Sequence, residues 1–130
     1  MNTTHSSPSA RPKHLDLLRI RFPVGAVLSL GHRASGLLLF LLTPLFIYLF
    51  ARSLGGEEGF DGVVSLFASP LVRVVLFVAL WALVHHLLAG LRFLVMDLGL
   101  GETRSRARQS AWLVFILEAV IMLAVLVALL

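Results

Sequence analysis

Three long apolar runs constrain this chain more than any other feature: Ala34 to Ala51, Val74 to Leu91, and Ala111 to Leu130, the last interrupted only by Glu118. Each has about 18–20 residues, enough at about 1.5 Å per residue to cross most of a hydrocarbon core about 30 Å thick. None is short enough to be a core strand. Of the 130 residues 58% are hydrophobic and only 14% charged, against about 25% charged in an average soluble domain. The expected fold is therefore an all-α membrane protein, with three transmembrane helices forming part of a heteromeric helix bundle. An N-terminal cytoplasmic arm, 1–22, precedes the anchor domain, 23–130, with spans near 24–51, 72–92 and 109–130. The arm and two loops are too little for a second core, so any soluble catalytic machinery must sit on another polypeptide.

The 11 Lys and Arg against 7 Asp and Glu give a net charge of +4. A single basic patch on a soluble fold would point to nucleic acid, but here the cations flank the apolar runs, so no nucleic-acid partner is expected. Five precede Ala34 (Arg11, Lys13, Arg19, Arg21, Arg33), two lie between the first spans (Arg52, Arg73), and four follow the second (Arg92, Arg104, Arg106, Arg108). The positive-inside rule puts the N-terminus and second loop in the cytoplasm, and the first loop and C-terminus outside. That is the topology of a multi-pass protein of the bacterial inner membrane, or its mitochondrial equivalent. With no cysteine, disulfides, iron–sulfur ligation and thiol catalysis are excluded within this chain. The first ten residues have no apolar h-region, so the first span is expected to serve as an uncleaved insertion signal.

Local signals refine the helices. Pro23 suits the first turn of the first helix, Thr43-Pro44 predicts a kink in its far half, and Gly55 to Asp61 reads as an outside turn. No internal repeat is found.

Within such spans the information lies in the exceptions, because a polar side chain at membrane depth is tolerated only where something satisfies it. The exceptions are His85 and His86 in the second span, Glu118 in the third, and Ser29, His32 and Arg33 where the first enters. His86 lies about 9 Å above Arg92, which marks the cytoplasmic end. Ala79, Ala82, Ala89, Gly90 and Phe93 share its face, a largely small-residue strip. Such a strip is either a close helix–helix contact, with His86 bonding across it, or a groove where a porphyrin can lie. Arg33, His32 and Arg92 at the cytoplasmic level below favour the second, since haem propionates need donors near the water boundary. His85 points about 100° away and cannot share that iron. A low-spin electron-transfer haem needs two axial groups. His32 is too close to the interface and Met122 is a poor substitute, so the other ligand is expected from a partner subunit.

Ser29 and Arg33, at i and i+4, share one face. They can bind a carbonyl oxygen of a lipophilic ligand entering from the bilayer, or Ser29 bonds back to the helix while Arg33 snorkels to headgroups. Glu118, about 12 Å from the basic end of its helix, reads as an interhelically bonded carboxyl, with a proton relay as the lesser alternative. Asp97, with Gly99 after the second span, reads as a loop carboxylate able to pair with Arg33 or Arg92. Arg104, Arg106 and Arg108 read as lipid-headgroup contacts.

These residues form two extended patterns. Arg11-Pro12, Leu15 and Arg19 to Pro23, then Ser29-Leu30-Gly31-His32-Arg33-Ala34-Ser35-Gly36, resemble R-P, a short amphipathic arm, and S-x-x-H-R-x-[ST]-G. His86-Leu87-Leu88-Ala89-Gly90-Leu91-Arg92, with Asp97-Leu98-Gly99, resembles H-x-x-x-G-x-R-H followed by D-x-G. Both are similar to signatures of the cytochrome b membrane-anchor subunit of succinate dehydrogenase, and the resemblance covers nearly the whole chain from Arg11. It implies a complex in which a flavoprotein oxidises succinate, an iron–sulfur subunit carries electrons, and two membrane anchors hold a quinone and a haem b. By the same resemblance His86 is the axial haem ligand, Ser29 and Arg33 contact the quinone, and His32 with Arg33 lies near the propionates. Two positions depart from the pattern. Phe93 stands where the family usually has His, and Gly31 replaces an apolar residue, which is expected to loosen the first helix. The rival readings are a purely structural anchor with a vestigial haem site, and the equivalent subunit of a quinol:fumarate reductase.

Overall fold

A computed structural model of the chain describes residues 21–129. Nearly all of the expected cytoplasmic arm, with Arg11, Lys13 and Arg19, lies outside the described residues. The described residues form four helices: α1 (Val24–Ser53), α2 (Glu57–Leu66), α3 (Pro70–Asp97) and α4 (Arg104–Leu129). Three of them, α1, α3 and α4, are long and apolar enough to cross a membrane. The fold is all-α, and the protein is a multi-pass membrane protein. The spans carry large exposed apolar side chains such as Leu30, Phe40, Ile47, Leu83, Leu94 and Ile116. A helix apolar on all sides cannot be stabilised by one buried stripe in water, and is stabilised in lipid.

Helix boundaries follow local chemistry. Pro23 stands at the N-cap of α1, where its carbonyl accepts from the N–H groups of Ala26 and Val27 at 2.9 and 3.2 Å. Helix α1 runs through Pro44, beside which Thr43 Oγ1 donates to the Leu39 carbonyl at 2.7 Å. The expected outside turn is shorter than Gly55 to Asp61: Gly56, at φ +105°, ends the break, and α2 starts at Glu57. Only glycine tolerates that φ readily. Glu57 and Glu58 then favour the first turn of a helix, where the backbone dipole presents positive charge. Pro70 opens α3 at a position where a missing N–H costs nothing.

α3 packs against both α1 and α4, and α1 also touches α4. The central cluster joins all three through Leu28, Ala89, Ala111 and Val114, with Val24, Leu88, Phe93 and Phe115 packed around it. Two polar rungs set the α3–α4 register. Arg92 Nε donates to Ser110 Oγ at 2.9 Å and Arg92 Nη2 to the Ala107 carbonyl at 2.9 Å; farther into the membrane His85 Nδ1 meets Glu118 Oε2 at 2.8 Å. From Arg92 back to His85, and from Ser110 on to Glu118, is about 10–12 Å along antiparallel helices, so one register satisfies both rungs.

Ala89 is fully buried where α1, α3 and α4 converge. Ala89→Leu is expected to overpack this contact at a cost of about 1–3 kcal/mol, seen as a lower Tm of the detergent-solubilised protein; an unchanged Tm would contradict this packing.

Candidate functional site

The small residues of α3 do not form an open groove. Ala79, Ala82 and Ala89 are buried together with His85, while His86 sits at the edge of that strip and stays partly exposed. The expectation of a porphyrin groove centred on the strip is corrected, because Ala79, Ala82 and Ala89 are closed off inside the bundle, Ala89 where α1 and α4 meet α3. The close-contact alternative describes the strip, and the face most enclosed by the bundle carries His85 rather than His86.

His86 nevertheless has a defined setting. Its Nδ1 is 3.0 Å from the carbonyl oxygen of His32, and 3.4 Å from Ser35 Oγ. A carbonyl can only accept, so Nδ1 carries the proton and donates, which leaves a lone pair on Nε2. Ser35 Oγ donates to the same carbonyl at 3.0 Å. The His32 and His86 rings stack at 4.1 Å between centroids, with 10° between planes. Phe93 braces His32 edge-on at 5.3 Å. Phe93, the departure from the family pattern, is thus an apolar support for His32.

Two glycines make the close approach possible. A Cβ at Gly36 would lie 2.8 Å from His86 Cε1, and one at Gly90 would lie 3.2 Å from His32 Nε2. Each histidine occupies space that a side chain on the facing helix would take.

Ser29 is half-buried and Arg33 exposed, and neither bonds another described residue through its side chain. Ser29 precedes Gly36 by seven residues, which places it on the same face of α1, about 10 Å toward the helix's N-terminal end. Arg33 is one turn beyond Ser29. Both therefore lie on the flank of α1 that leads to the His86 ring. A groove of about 910 Å³ lies elsewhere, lined by Pro23, Val27, Arg92, Arg104, Arg108, Trp112 and neighbouring residues, and neither Ser29 nor Arg33 lines it. Arg104 and Arg108 border this groove, and Arg106 does not.

Arg92 was read toward the propionates, but two of its N–H groups are committed to Ser110 and Ala107 on α4. It follows His85 by seven residues and so shares the His85 face. Asp97 is exposed at the end of α3 and forms no ion pair with Arg33 or Arg92 among the described residues. Sequence reasoning had not singled out Ser35 as a site residue, nor paired His85 with Glu118. The [ST] position of the first pattern was the available signal for Ser35.

Among the described residues no three His, Cys, Asp or Glu side chains gather to enclose a metal ion. An iron held by His86 would draw its other ligands from outside these residues. The donor set fits a haem at one axial position: a neutral imidazole with Nδ1–H tied to a backbone carbonyl is the arrangement that orients a metal-binding histidine.

Histidine ring ¹⁵N shifts test the geometry directly. His86 is expected to read as the Nδ1–H tautomer, and Gly36→Ala, by displacing the ring from the His32 carbonyl, is expected to abolish that preference.

Comparison with known proteins agrees in kind. Residues 7–127 match the family described as succinate dehydrogenase/fumarate reductase transmembrane subunit. The chain is similar to the succinate dehydrogenase cytochrome b556 subunit of Coxiella burnetii (strain RSA 493 / Nine Mile phase I), at 40% identity over 109 residues, covering 83% of this chain and 87% of that protein.

Proposed function

The chain belongs to the family of succinate dehydrogenase/fumarate reductase transmembrane subunits, and from that premise we propose that it is the cytochrome b anchor of a succinate:quinone oxidoreductase. The observation that carries the reading is the His86 ring: its Nδ1 proton is held by the His32 carbonyl, its Nε2 is left as a lone pair, and the residue is partly open at the bundle surface. In this reading His86 would hold the iron of a haem b together with a residue of a second membrane-anchor subunit. The iron–sulfur subunit delivers electrons, and a flavoprotein subunit carries out succinate oxidation. The relative's designation as a succinate dehydrogenase subunit supports that direction over fumarate reduction. The excess of cations at the N-terminus and second loop supports a cytoplasmic N-terminus in a bacterial inner membrane.

The bound haem would supply a one-electron carrier at the depth of His86. The chain's own residues do the rest by position. His32 stacks on the ligand ring and, with Arg33 next in sequence, offers donors for propionates at the cytoplasmic side. Ser29 and Arg33, on the flank that leads to His86, would hold a quinone oxygen between hydroxyl and guanidinium. The guanidinium stabilises negative charge that develops there on reduction, an effect worth about 2–4 kcal/mol in a site shielded from water. Arg92 clamps α3 to α4 and so holds the helix that carries His86.

Two variants test the assignment in the assembled, detergent-purified complex. His86→Ala is expected to lose the reduced-minus-oxidised b-type haem spectrum; an unaltered spectrum would favour a purely structural anchor. Arg33→Ala is expected to lower quinone reductase turnover by roughly 30- to 1,000-fold, matching the loss of an oxyanion-type donor, while succinate oxidation by a soluble artificial acceptor survives. Unchanged quinone turnover would remove Arg33 from the site.

A further inference from the structure

The most deeply buried polar pair among the described residues has no part in the proposed haem and quinone contacts. His85 is 2% exposed and Glu118 7%. His85 Nδ1 bonds Glu118 Oε2 on α4 at 2.8 Å, and His85 Nε2 is buried with no hydrogen-bond partner among the described residues. That nitrogen faces α1 where Gly31 stands: a Cβ there would lie 2.5 Å from it. The rings of Trp81 and Phe115 lie with centroids 5.7 and 5.9 Å away. Gly31 leaves the space that the His85 imidazole occupies.

This arrangement bears on His86 because the two histidines are consecutive on one helix. They have nearly the same depth and differ by about 100° in direction. A turn of α3 by about 100° about its axis would carry His86 away from the His32 carbonyl, in one sense bringing His85 there in its place and in the other turning His86 toward α4. Apolar packing does little to forbid that turn, since α3 is apolar on nearly all sides and its contact strip consists of alanines. A directional bond does forbid it. Buried polar pairs are best attested in this use, fixing register among packings of similar apolar quality. The Arg92 clamp lies on the His85 face and adds a second directional bond in the same sense.

We propose that Glu118 is a positioning residue: by capturing His85 across α4, with Gly31 receiving the other side of the ring, it fixes the rotation of α3 so that His86, and not His85, presents a free ring nitrogen to the haem. The inference rests on the reading of His86 as haem ligand.

The test uses the whole purified complex and three readouts that are not turnover: haem content per flavin, the midpoint potential, and the lowest-field electron paramagnetic resonance g value of the oxidised haem, which reports ligand-plane orientation. Glu118→Leu, similar in volume and unable to accept a hydrogen bond, is expected to shift the g value and potential and to weaken haem retention by up to roughly tenfold, the lower end of the loss seen when support around a metal ligand is removed. Glu118→Gln keeps an acceptor oxygen for His85 and is expected to restore all three. A Glu118→Leu complex with wild-type g value, potential and haem content would overturn the proposal. Should that variant fail to assemble, Gly31→Ala decides: its methyl drives the His85 ring from its seat while leaving Glu118 in place, the same shifts are expected, and a wild-type signature would overturn the proposal. The two readings fail separately. Haem retained by His86→Ala removes the ligand assignment and the positioning role with it; haem lost by His86→Ala, beside a wild-type signature in Glu118→Leu, removes the positioning role alone.

Discussion

Inside hydrocarbon a polar side chain cannot turn to water, so each one present must find its partner on another helix or on its own backbone. His85, Glu118, His86, Ser35 and Arg92 do so at defined places. His85 reaches Glu118, His86 and Ser35 converge on the His32 carbonyl, and Arg92 spans to Ser110 and Ala107. Apolar surfaces in lipid attract one another weakly and without direction, since a lipid tail is as good a neighbour as leucine. These bonds therefore determine how helices with interchangeable apolar faces are turned and aligned. Each interhelical bond reaches from α3, the helix that packs against both of the other spans.

Small residues are the second half of that arrangement. A histidine ring can lie between two helices only if the facing helix gives up its own side chain there. Gly31 faces His85, Gly36 faces His86, and Gly90 faces His32. In each case glycine supplies volume for a partner's ring, with no need of unusual backbone torsion: all three have ordinary helical φ, unlike Gly56, Gly99 and Gly101 in the connections. Serine or alanine would fill the same spaces with atoms and push the rings toward the bundle surface.

The fold was legible in the sequence because its governing quantity, apolar length, is a one-dimensional property. The runs around Ala34–Ala51 and Val74–Leu91, and the described part of the third run from Ala111, each lie within a helix that can cross a membrane. Helix α2 was missed because Gly55-Gly56 looks like a turn, and because its helical signal, Glu57-Glu58 at an N-terminus, reads equally well as a polar loop. The site was legible only in part. Helical spacing identifies which residues share a face, but not which face turns inward, and with His85 and His86 adjacent the two possible answers differ by about 100°. Reading the alanine strip with His86 at its centre assigned the enclosed face to the wrong member of the pair. Glu118 held the missing information: a carboxyl at that depth on α4 demands a donor, and antiparallel register from Ser110 opposite Arg92 leads to His85.

One flank of this bundle is arranged differently from the rest. His85, Glu118 and Ser35 are sealed, whereas Ser29 and His86 are only half-buried and Arg33 is exposed. Arg33 stands one turn from Ser29 on the same face of α1 and is exposed, and a guanidinium on a span is costly to keep against lipid. Phe40, Leu41 and Ile47 continue the exposed surface of α1 deeper into the membrane. An apolar stretch with hydroxyl, guanidinium and imidazole grouped toward one end is the surface that the proposed half-site would present to a second membrane subunit. The interior polar bonds and the open flank serve one purpose under this reading, because the opposite half-site can meet His86 only if α3 has a single rotational setting before the two subunits join.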